Sequence, residues 1–472
     1  DLIQKYDAFC GGFVWEWCDH SVYMGKTPDG KEKYFYGGDF GEFPHDSNFC
    51  MDGLVYPDRT PHTGLMEYKN VIRPAKVERN EDGTLTITNT MDFVNLKDYL
   101  TMEWEVLVDG DVAAFGDVDD ELLDIPPHES RTISLELPLE TGKACSVLMI
   151  SRLREDHPLV DAGTELGWDQ LLISKGDPAA ALRPAPSDAP VEVVEREEEI
   201  IVKGGCFRYC YSKQTGLFTS MVYDQQSLLD APMEYNIWRA PTDNDRNIRL
   251  IWESAGYDRS TPRAYETSYE LTENGVVITT RLCLSAIYLR PAMTIEARWT
   301  VSGDGVVKAA LTVDRNEEFP ILPRFGLRLR LPKAMQQAEY FGYGPFESYR
   351  DKHRASWLGR FTDRVDWMHE DYIKPQENGS HCGCAYLSVT GDTMGLTAIA
   401  DDFSFNLSPY TQEELTTKAH NFELEEADST ILCLDYAQSG IGSNSCGPVL
   451  MDQYRLSEEH FTFEVTLVPS AL

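Results

Sequence analysis

The sequence lacks three features that would narrow its class at once: a long apolar run, an excess of basic residues and a regular cysteine spacing. No uninterrupted apolar run approaches the ~18 residues that a membrane-spanning helix needs, so the sequence predicts a soluble protein with no membrane role. Its 11 cysteines are odd in number and show no short repeated spacing. Disulfide frameworks use paired cysteines at regular spacings, so we interpret these as thiols of a cytoplasmic protein.

Positive charge is scarce along the chain. The 42 Lys and Arg residues face 78 Asp and Glu residues, which gives a formal net charge of −36. Because a strongly negative field repels phosphate backbones, we expect no nucleic-acid partner, and a neutral substrate is easier to reconcile with this charge. The alternative interpretation, in which the acidic residues only keep the protein in solution, stays open.

The chain also lacks an initiating methionine and a leader in which charged residues precede apolar ones. It begins with Asp1, so either an upstream segment has been removed or these residues lie inside a longer protein. Its 472 residues suggest about three domains at the usual domain size.

Hydrophobic patterning predicts a mainly β protein. Residues 1–9 show helical spacing, and "GFVWEW" (12–17) is typical of a strand buried on both faces, as in a parallel α/β sheet. Short strands spaced by turn residues follow from Thr84 and predict a β-sandwich of about 100 residues. The proline-rich stretch 176–190 indicates a linker, and the strands that follow it favour one large antiparallel sandwich.

Two tryptophans at the end of the predicted strand suggest a binding surface. Residues two apart in a strand point the same way, so Trp15 and Trp17 share a face while Glu16 takes the other. At the carboxyl end of a barrel strand, such a ring can lie under the apolar face of a sugar. The alternative is that both rings belong to the core. The long aromatic loop 36–71 that follows is of a kind that is usually functional.

Eight motifs resemble, in the same order, the C-terminal portion of the bacterial β-galactosidases of glycoside hydrolase family 2. They are "GGFVWEWCDH" (11–20), "YGGDFG" (36–41), "FCMDGLVYPDRTPH" (49–62), "RAPTDND" (239–245), "GYGPFESYRD" (342–351), "PQENGSHCG" (375–383), "FSFNLSPYT" (403–411) and "GIGSNSCGP" (440–448). The resemblance implies the end of a (β/α)8 barrel, an immunoglobulin-like β-sandwich, and a C-terminal β-supersandwich similar to galactose mutarotase. We place these pieces at residues 1–68, 69–175 and 193–472, with a linker at 176–192.

The resemblance assigns roles to four residues of a galactoside site. It implies that Trp15 stacks on the galactose, with a cis peptide between Trp15 and Glu16. Phe49, through its carbonyl, and Asp52, through its side chain, match a loop that holds a sodium ion beside the primary hydroxyl of galactose. Well-known members carry asparagine at the position of Asp52 and tryptophan at that of Cys446, so this chain lacks their platform for the leaving sugar. The "RAPTDND" loop either swings toward the site or is a rigid turn.

Catalytic carboxylates are not assigned within the chain. A retaining glycosidase needs two of them about 5–5.5 Å apart, and the resemblance implies that both, together with the magnesium ligands, lie upstream of residue 1. Glu16, Glu42 and Glu67 therefore receive no catalytic role. Glu16, Asp19 and His20 stay open between hydrogen bonding near the site and barrel packing.

Two functional hypotheses remain from the sequence. The first is part of a β-galactosidase that acts on β-galactosides such as lactose and is completed by a missing barrel segment or by a second subunit, in a homo-oligomer. The second is a non-catalytic module that binds carbohydrate or assembles subunits.

Overall fold

A computed structural model describes residues 2–140, 142–185 and 187–472. The N-terminal segment contains a short helix, a hairpin and a second helix: α1 (Leu2–Lys5), β1 (Val22–Lys26), β2 (Glu32–Phe35) and α2 (Thr63–Val71). The predicted helix over 1–9 is therefore shorter than expected, and Asp1 lies outside the described residues.

The predicted strand at residues 12–17 is wrong. This segment has no regular secondary structure, and the nearest pairing is an isolated bridge between Cys18 and Val55. A strand forms only where another strand satisfies its backbone N–H and C=O groups, and no described strand lies beside these residues. Phe13 and Trp15 are exposed, so the segment is not buried on both faces as expected either.

A small β-sandwich follows, built from two antiparallel sheets. The sheets have the orders β3-β4-β7 and β6-β5-β8-β9. Their strands are β3 (Ala75–Arg79), β4 (Leu85–Asn89), β5 (Leu100–Val108), β6 (Asp111–Asp117), β7 (Ser130–Ile133), β8 (Cys145–Leu153) and β9 (Glu165–Ser174), with α3 (Leu96–Tyr99) between β4 and β5. Inward side chains such as Ile87, Val106 and Val147 are fully buried and fill one core. This arrangement is the predicted immunoglobulin-like sandwich.

The connecting segment at 176–192 runs along the surface of both sandwiches, and its residue 186 lies outside the described residues. Ala179 is buried, and a single 3-10 turn covers Ala180–Leu182. A Cβ atom on Gly303 would lie 1.8 Å from the Ala189 carbonyl oxygen, so this segment packs closely on a turn of the next domain. The three proposed boundaries between the segments stay predictions.

The C-terminal part is a large antiparallel sandwich of two sheets. The smaller sheet contains β10 (Glu192–Glu195), β11 (Glu199–Lys203), β12 (Phe207–Ser212), β13 (Leu217–Tyr223) and β14 (Gln226–Ser227). The larger contains β15 (Glu234–Asn236), β16 (Thr261–Thr272), β17 (Gly275–Ser285), β18 (Met293–Ser302), β19 (Val307–Arg315), β20 (Arg324–Pro332), β21 (Gln337–Gly344), β22 (Trp357–Arg364), β23 (Ser380–Thr390), β24 (Met394–Ser408), β25 (Ser429–Gln438) and β26 (His460–Ala471). Two short helices, α4 (Ile248–Ser254) and α5 (Gln412–Thr417), lie in its loops.

The larger sheet is organised around its longest strand. The main order is β15-β20-β25-β24-β26-β19-β18-β17-β16, and β23, β21 and β22 branch from β24. The 15-residue β24 can carry this branch because one half pairs with β26 and the other half pairs with β25. Buried side chains of both sheets form a single core, so this region is the predicted supersandwich.

Polar contacts dock the N-terminal segment on the supersandwich. Tyr56 donates to Glu370 Oε1 at 2.6 Å, and the Lys31 ammonium donates to the Leu424 carbonyl at 2.6 Å. These contacts join residues more than 300 positions apart, and they bring the loops at the two ends of the chain together.

Candidate functional site

The predicted sodium-binding residues lie in the Phe49 loop, which we define as residues 46–55. Backbone N–H groups of Leu54 and Val55 donate to the Trp17 carbonyl at 3.0 and 3.1 Å. The buried Asp19 accepts the Gly53 N–H at 2.8 Å. The loop is therefore held against the segment that carries the two tryptophans. The Trp15–Glu16 peptide is cis, as predicted, and the Gly53–Leu54 peptide is cis as well.

A loop of the supersandwich, residues 240–247, reaches the Phe49 loop. We call it the Asp243 loop. Asn48 Nδ2 donates to Asp243 Oδ1 at 2.5 Å, and Gln376 contacts the other carboxylate oxygen of Asp243 at 3.2 Å. The Arg246 guanidinium lies 5.4 Å from the centre of the Phe49 ring. An inter-domain hydrogen bond and a cation–π contact thus connect the two loops.

A third loop, residues 439–450, lies beside the Asp243 loop and carries Cys446. Asn244 Nδ2 donates to the Ile441 carbonyl at 2.8 Å, and Asn247 Nδ2 donates to the Asn444 carbonyl at 3.3 Å. Cys446 itself is exposed. The fold therefore brings the predicted leaving-group residue next to the loop that contacts Phe49.

Negative charge is concentrated around Asp52. Burial raises the pKa of Asp52, and the nearby carboxylates of Glu16, Asp19 and Asp243 raise it further, while His20 opposes them. Burial also raises the pKa of Asp243 against the hydrogen bonds from its amide partners. A carboxylate in such surroundings gains from a bound cation, so the donor set fits a hard ion such as sodium.

The side chains around Asp52 do not by themselves form a complete metal site. Among the described residues, no group of three or more His, Cys, Asp or Glu side chains is arranged to hold a metal ion. A sodium ion at Asp52 would therefore need backbone, sugar or water oxygens as well. The sodium assignment of Phe49 and Asp52 stays a prediction.

The two tryptophans are largely exposed to solvent. Trp15 is 79% exposed and Trp17 is 64% exposed, so neither ring is packed in a core of the described chain. Trp17 borders an open cleft of about 600 Å³. The other residues that line this cleft are Glu16, Cys18, Asp19, His20, Ser21, Val22, Pro57 and Arg59. The stacking role of Trp15 stays a prediction.

The three glutamates that received no catalytic role each contact a polar group of the described chain. Glu16 lies 3.2 Å from His20 Nε2. Glu42 accepts the backbone N–H groups of Gly38 and Phe40 within its own turn, and Glu67 accepts the Ala355 N–H at 2.9 Å. These contacts account for the three side chains as structural groups.

Family profiles match most of the chain. "Beta galactosidase small chain" covers residues 203–467, "Glycosyl hydrolases family 2, TIM barrel domain" covers 1–77, and "Beta-galactosidase, domain 4" covers 85–174. The first of these alone spans more than half of the chain. The chain belongs to the β-galactosidases of glycoside hydrolase family 2.

Individual relatives agree with this family. The chain is 44% identical over 466 residues to a β-galactosidase of Actinobacillus pleuropneumoniae and 34% identical over 472 residues to one of Staphylococcus xylosus. Each match covers 99% of this chain but only 45% and 47% of the relative. The chain thus spans about half the length of these β-galactosidases and corresponds to their C-terminal portion.

A solved structure is also similar to part of the chain. An aldose epimerase homologue from Caenorhabditis elegans matches 60% of this chain and 99% of its own length, with 9% identity and a TM-score of 0.34.

Sequence reasoning missed several residues that join the loops of the candidate site. Asn48, Arg246 and Gln376 supply the contacts that join the loops. All three lie in or beside motifs that the resemblance used, but their pairing across more than 130 residues leaves no local pattern. An alignment of co-varying positions is the signal that could have found them.

Proposed function

We propose that this chain is the C-terminal part of a retaining β-galactosidase that hydrolyses terminal β-D-galactosides such as lactose. The observation that carries the proposal is that the Asp243 loop contacts both the Phe49 loop, in which Asp52 lies among other carboxylates, and the loop 439–450 that carries Cys446. These loops come from the first, middle and last parts of the chain, and they contain residues for which the family resemblance implies sugar contacts.

Each proposed site residue has a separate task in binding. Trp15 supplies an apolar face for the galactose ring, while the Phe49 carbonyl and the Asp52 carboxylate bind sodium beside the primary hydroxyl. Bound sodium supplies a positive charge that orients that hydroxyl. Cys446 lies on the leaving-group side, where it leaves the subsite more open than an indole ring would.

The acid/base and nucleophile are proposed to lie in the part of the enzyme that this chain does not contain. Hydrolysis with retention needs two carboxylates about 5–5.5 Å apart, and Glu16, Glu42 and Glu67 each contact another group of this chain instead. The same missing part, as a barrel segment or a second subunit, would carry the magnesium ligands. We further propose that the complete enzyme is a cytoplasmic homo-oligomer.

Replacement of Asp52 in the complete enzyme tests this proposal. We expect Asp52→Ala to raise the KM for a galactoside and to flatten the response of activity to added sodium, because the variant loses a sodium ligand. Measurements of kcat and KM across a sodium chloride series at constant ionic strength would show this.

Cys446→Trp is the matched control on the other side of the scissile bond. An added indole would give the leaving sugar a stacking partner worth about 0.5–1.5 kcal/mol, so binding of glucose as acceptor should tighten while the sodium response stays unchanged. An unaltered sodium response in Asp52→Ala, or an altered one in Cys446→Trp, would contradict the assignment of these residues.

A further inference from the structure

His62 lies at the junction of the Phe49 loop and helix α2. It immediately precedes α2, and its backbone N–H donates to the Leu54 carbonyl at 3.1 Å. Its Nε2 atom lies 2.9 Å from Asp19 Oδ2, a close contact that lacks hydrogen-bond geometry in the described structure, and both side chains are buried. Main chain and side chain of His62 therefore hold the loop from two directions.

Asp19 extends this contact into the Phe49 loop. The carboxylate that faces His62 through Oδ2 accepts the Gly53 N–H through Oδ1 at 2.8 Å. Gly53 directly follows Asp52 and has a positive φ of 72°. A single buried carboxylate thus connects His62 to the backbone next to Asp52.

The opposite side of His62 packs on residues tied to the supersandwich. Its ring lies 3.9 Å from the Tyr56 ring and 5.7 Å from the Tyr372 ring, measured between centroids. The Tyr372 hydroxyl and the Thr63 hydroxyl both donate to Glu347 Oε1, at 3.0 and 2.8 Å. Glu347 thereby fixes both the first residue of α2 and one wall of the His62 site.

These contacts form a continuous path between two domains. It runs from Glu347 in the supersandwich to Thr63 and Tyr372, then through His62 to Asp19, and from Asp19 to Gly53. Every side chain on this path is buried or nearly so. Because buried polar groups that lose a partner are costly, the path has little freedom to rearrange.

We propose that His62 is a positioning residue that transmits the packing of the supersandwich to the Phe49 loop through Asp19. His62 touches neither the proposed sodium nor the sugar, and acts by fixing the backbone at Gly53. The inference rests on the proposed function, because it concerns the loop that is proposed to bind sodium.

Hydrogen exchange of the full chain tests the positioning without relying on activity. In His62→Ala we expect amides in peptides covering residues 49–55 to exchange at least tenfold faster than in wild type. His62→Gln should restore protection to within threefold, since a glutamine Nε2 can reach the Asp19 carboxylate. His128→Gln is the matched control, because His128 Nε2 also lies 2.9 Å from an aspartate, Asp92, at an exposed site.

Two further arms keep the test decisive. Exchange in peptides from β8 shows whether a variant is folded. If these peptides exchange faster in His62→Ala, that variant is replaced by Thr63→Val, which removes only the hydroxyl bound to Glu347. Exchange at 49–55 within twofold of wild type in the folded variant overturns the proposal, as does equal acceleration in His128→Gln. A sodium response that survives Asp52→Ala would instead overturn the proposed function and leave the exchange result standing.

Discussion

Glu347 is a buried carboxylate that four donors surround. Lys352 Nζ lies 2.5 Å from Oε1, which also accepts from the hydroxyls of Thr63 and Tyr372, and the Gly379 N–H donates to Oε2 at 2.8 Å. Against the effect of burial, the Lys352 ammonium and these hydrogen bonds lower the pKa of Glu347 to about 2. The charge of this one residue is therefore coupled to folding.

Acid unfolding should reveal the contribution of Glu347. A carboxylate whose pKa is lowered from 4.5 to about 2 stabilises the fold by on the order of 3 kcal/mol at neutral pH. This stabilisation is present above pH 4.5 and is lost as the pH falls toward 2. We expect the difference in the free energy of unfolding between wild type and Glu347→Gln to shrink below pH 4.5 in urea titrations. Two parallel stability curves from pH 7 to 3 would count against it.

At the residue scale, a motif can indicate the role of a residue. The sequence does not indicate which residues far apart in the chain contact each other. The motif "FCMDGLVYPDRTPH" identifies Phe49 and Asp52 as candidates, and the Trp15–Glu16 cis peptide was predicted and is present. The contacts that hold the Phe49 loop could not be predicted. Asn48 and Asp243, for example, lie 195 positions apart, and no periodicity in the sequence indicates such a pair.

At the scale of elements, the Asp243 loop is anchored by a buried ion pair. Arg239 Nε and Nη2 donate to the Asp245 carboxylate at 3.0 and 2.8 Å, and Asp245 Oδ2 also accepts the Thr242 N–H at 3.0 Å. Arg239 further donates to the Ser439 and Gly440 carbonyls, at 2.5 and 3.1 Å. The pair thus fixes two of the three loops of the candidate site relative to each other.

Removal of this anchor should be costly. Asp245→Ala leaves the Arg239 charge buried without its carboxylate, so we expect the free energy of unfolding to fall by about 3–5 kcal/mol. Glu464→Ala is the control, because Lys308 and Glu464 pair at 2.8 Å on the surface and such pairs are worth under about 1 kcal/mol. Urea unfolding followed by near-ultraviolet circular dichroism would measure both. Similar losses in the two variants would refute the anchoring role.

Strands were predicted correctly where this chain itself contains the sheets that pack against each other. Strand β18 alternates buried and exposed residues along its length, and this period of two is readable in "AMTIEARWTV". It failed at 12–17, where an equally apolar segment has no described neighbour to pair with. A hydrophobic pattern indicates that a segment is suited to burial. Whether the segment forms a strand depends on a neighbouring strand, which the local sequence does not specify.

At the scale of the whole molecule, one region of the chain exposes an unusual number of apolar side chains. Phe13, Trp15 and Trp17 are followed by Phe40 and Phe43, and all five are at least half exposed. Scattered exposed apolar residues are ordinary, whereas a contiguous apolar patch of several hundred Å² marks an interaction surface. Hydrogen bonds from the same segment of the chain hold it on the supersandwich. No helix in the described parts of the chain is both long and apolar enough to cross a membrane.

The proposed location of both catalytic carboxylates outside this chain predicts that the 472-residue chain alone does not hydrolyse galactosides. The chain carries Trp15 and the Phe49 loop, which are proposed to bind the sugar and sodium. Both catalytic carboxylates are proposed to lie in the barrel segment that it lacks. We expect release of nitrophenol from a chromogenic galactoside to stay at background for the purified chain and to rise at least 100-fold when the remaining barrel segment is supplied. Glu16→Gln, Glu42→Gln and Glu67→Gln variants of the complete enzyme should each keep turnover. Turnover by the chain alone that one of these substitutions abolishes would place a catalytic acid inside it and refute the proposal.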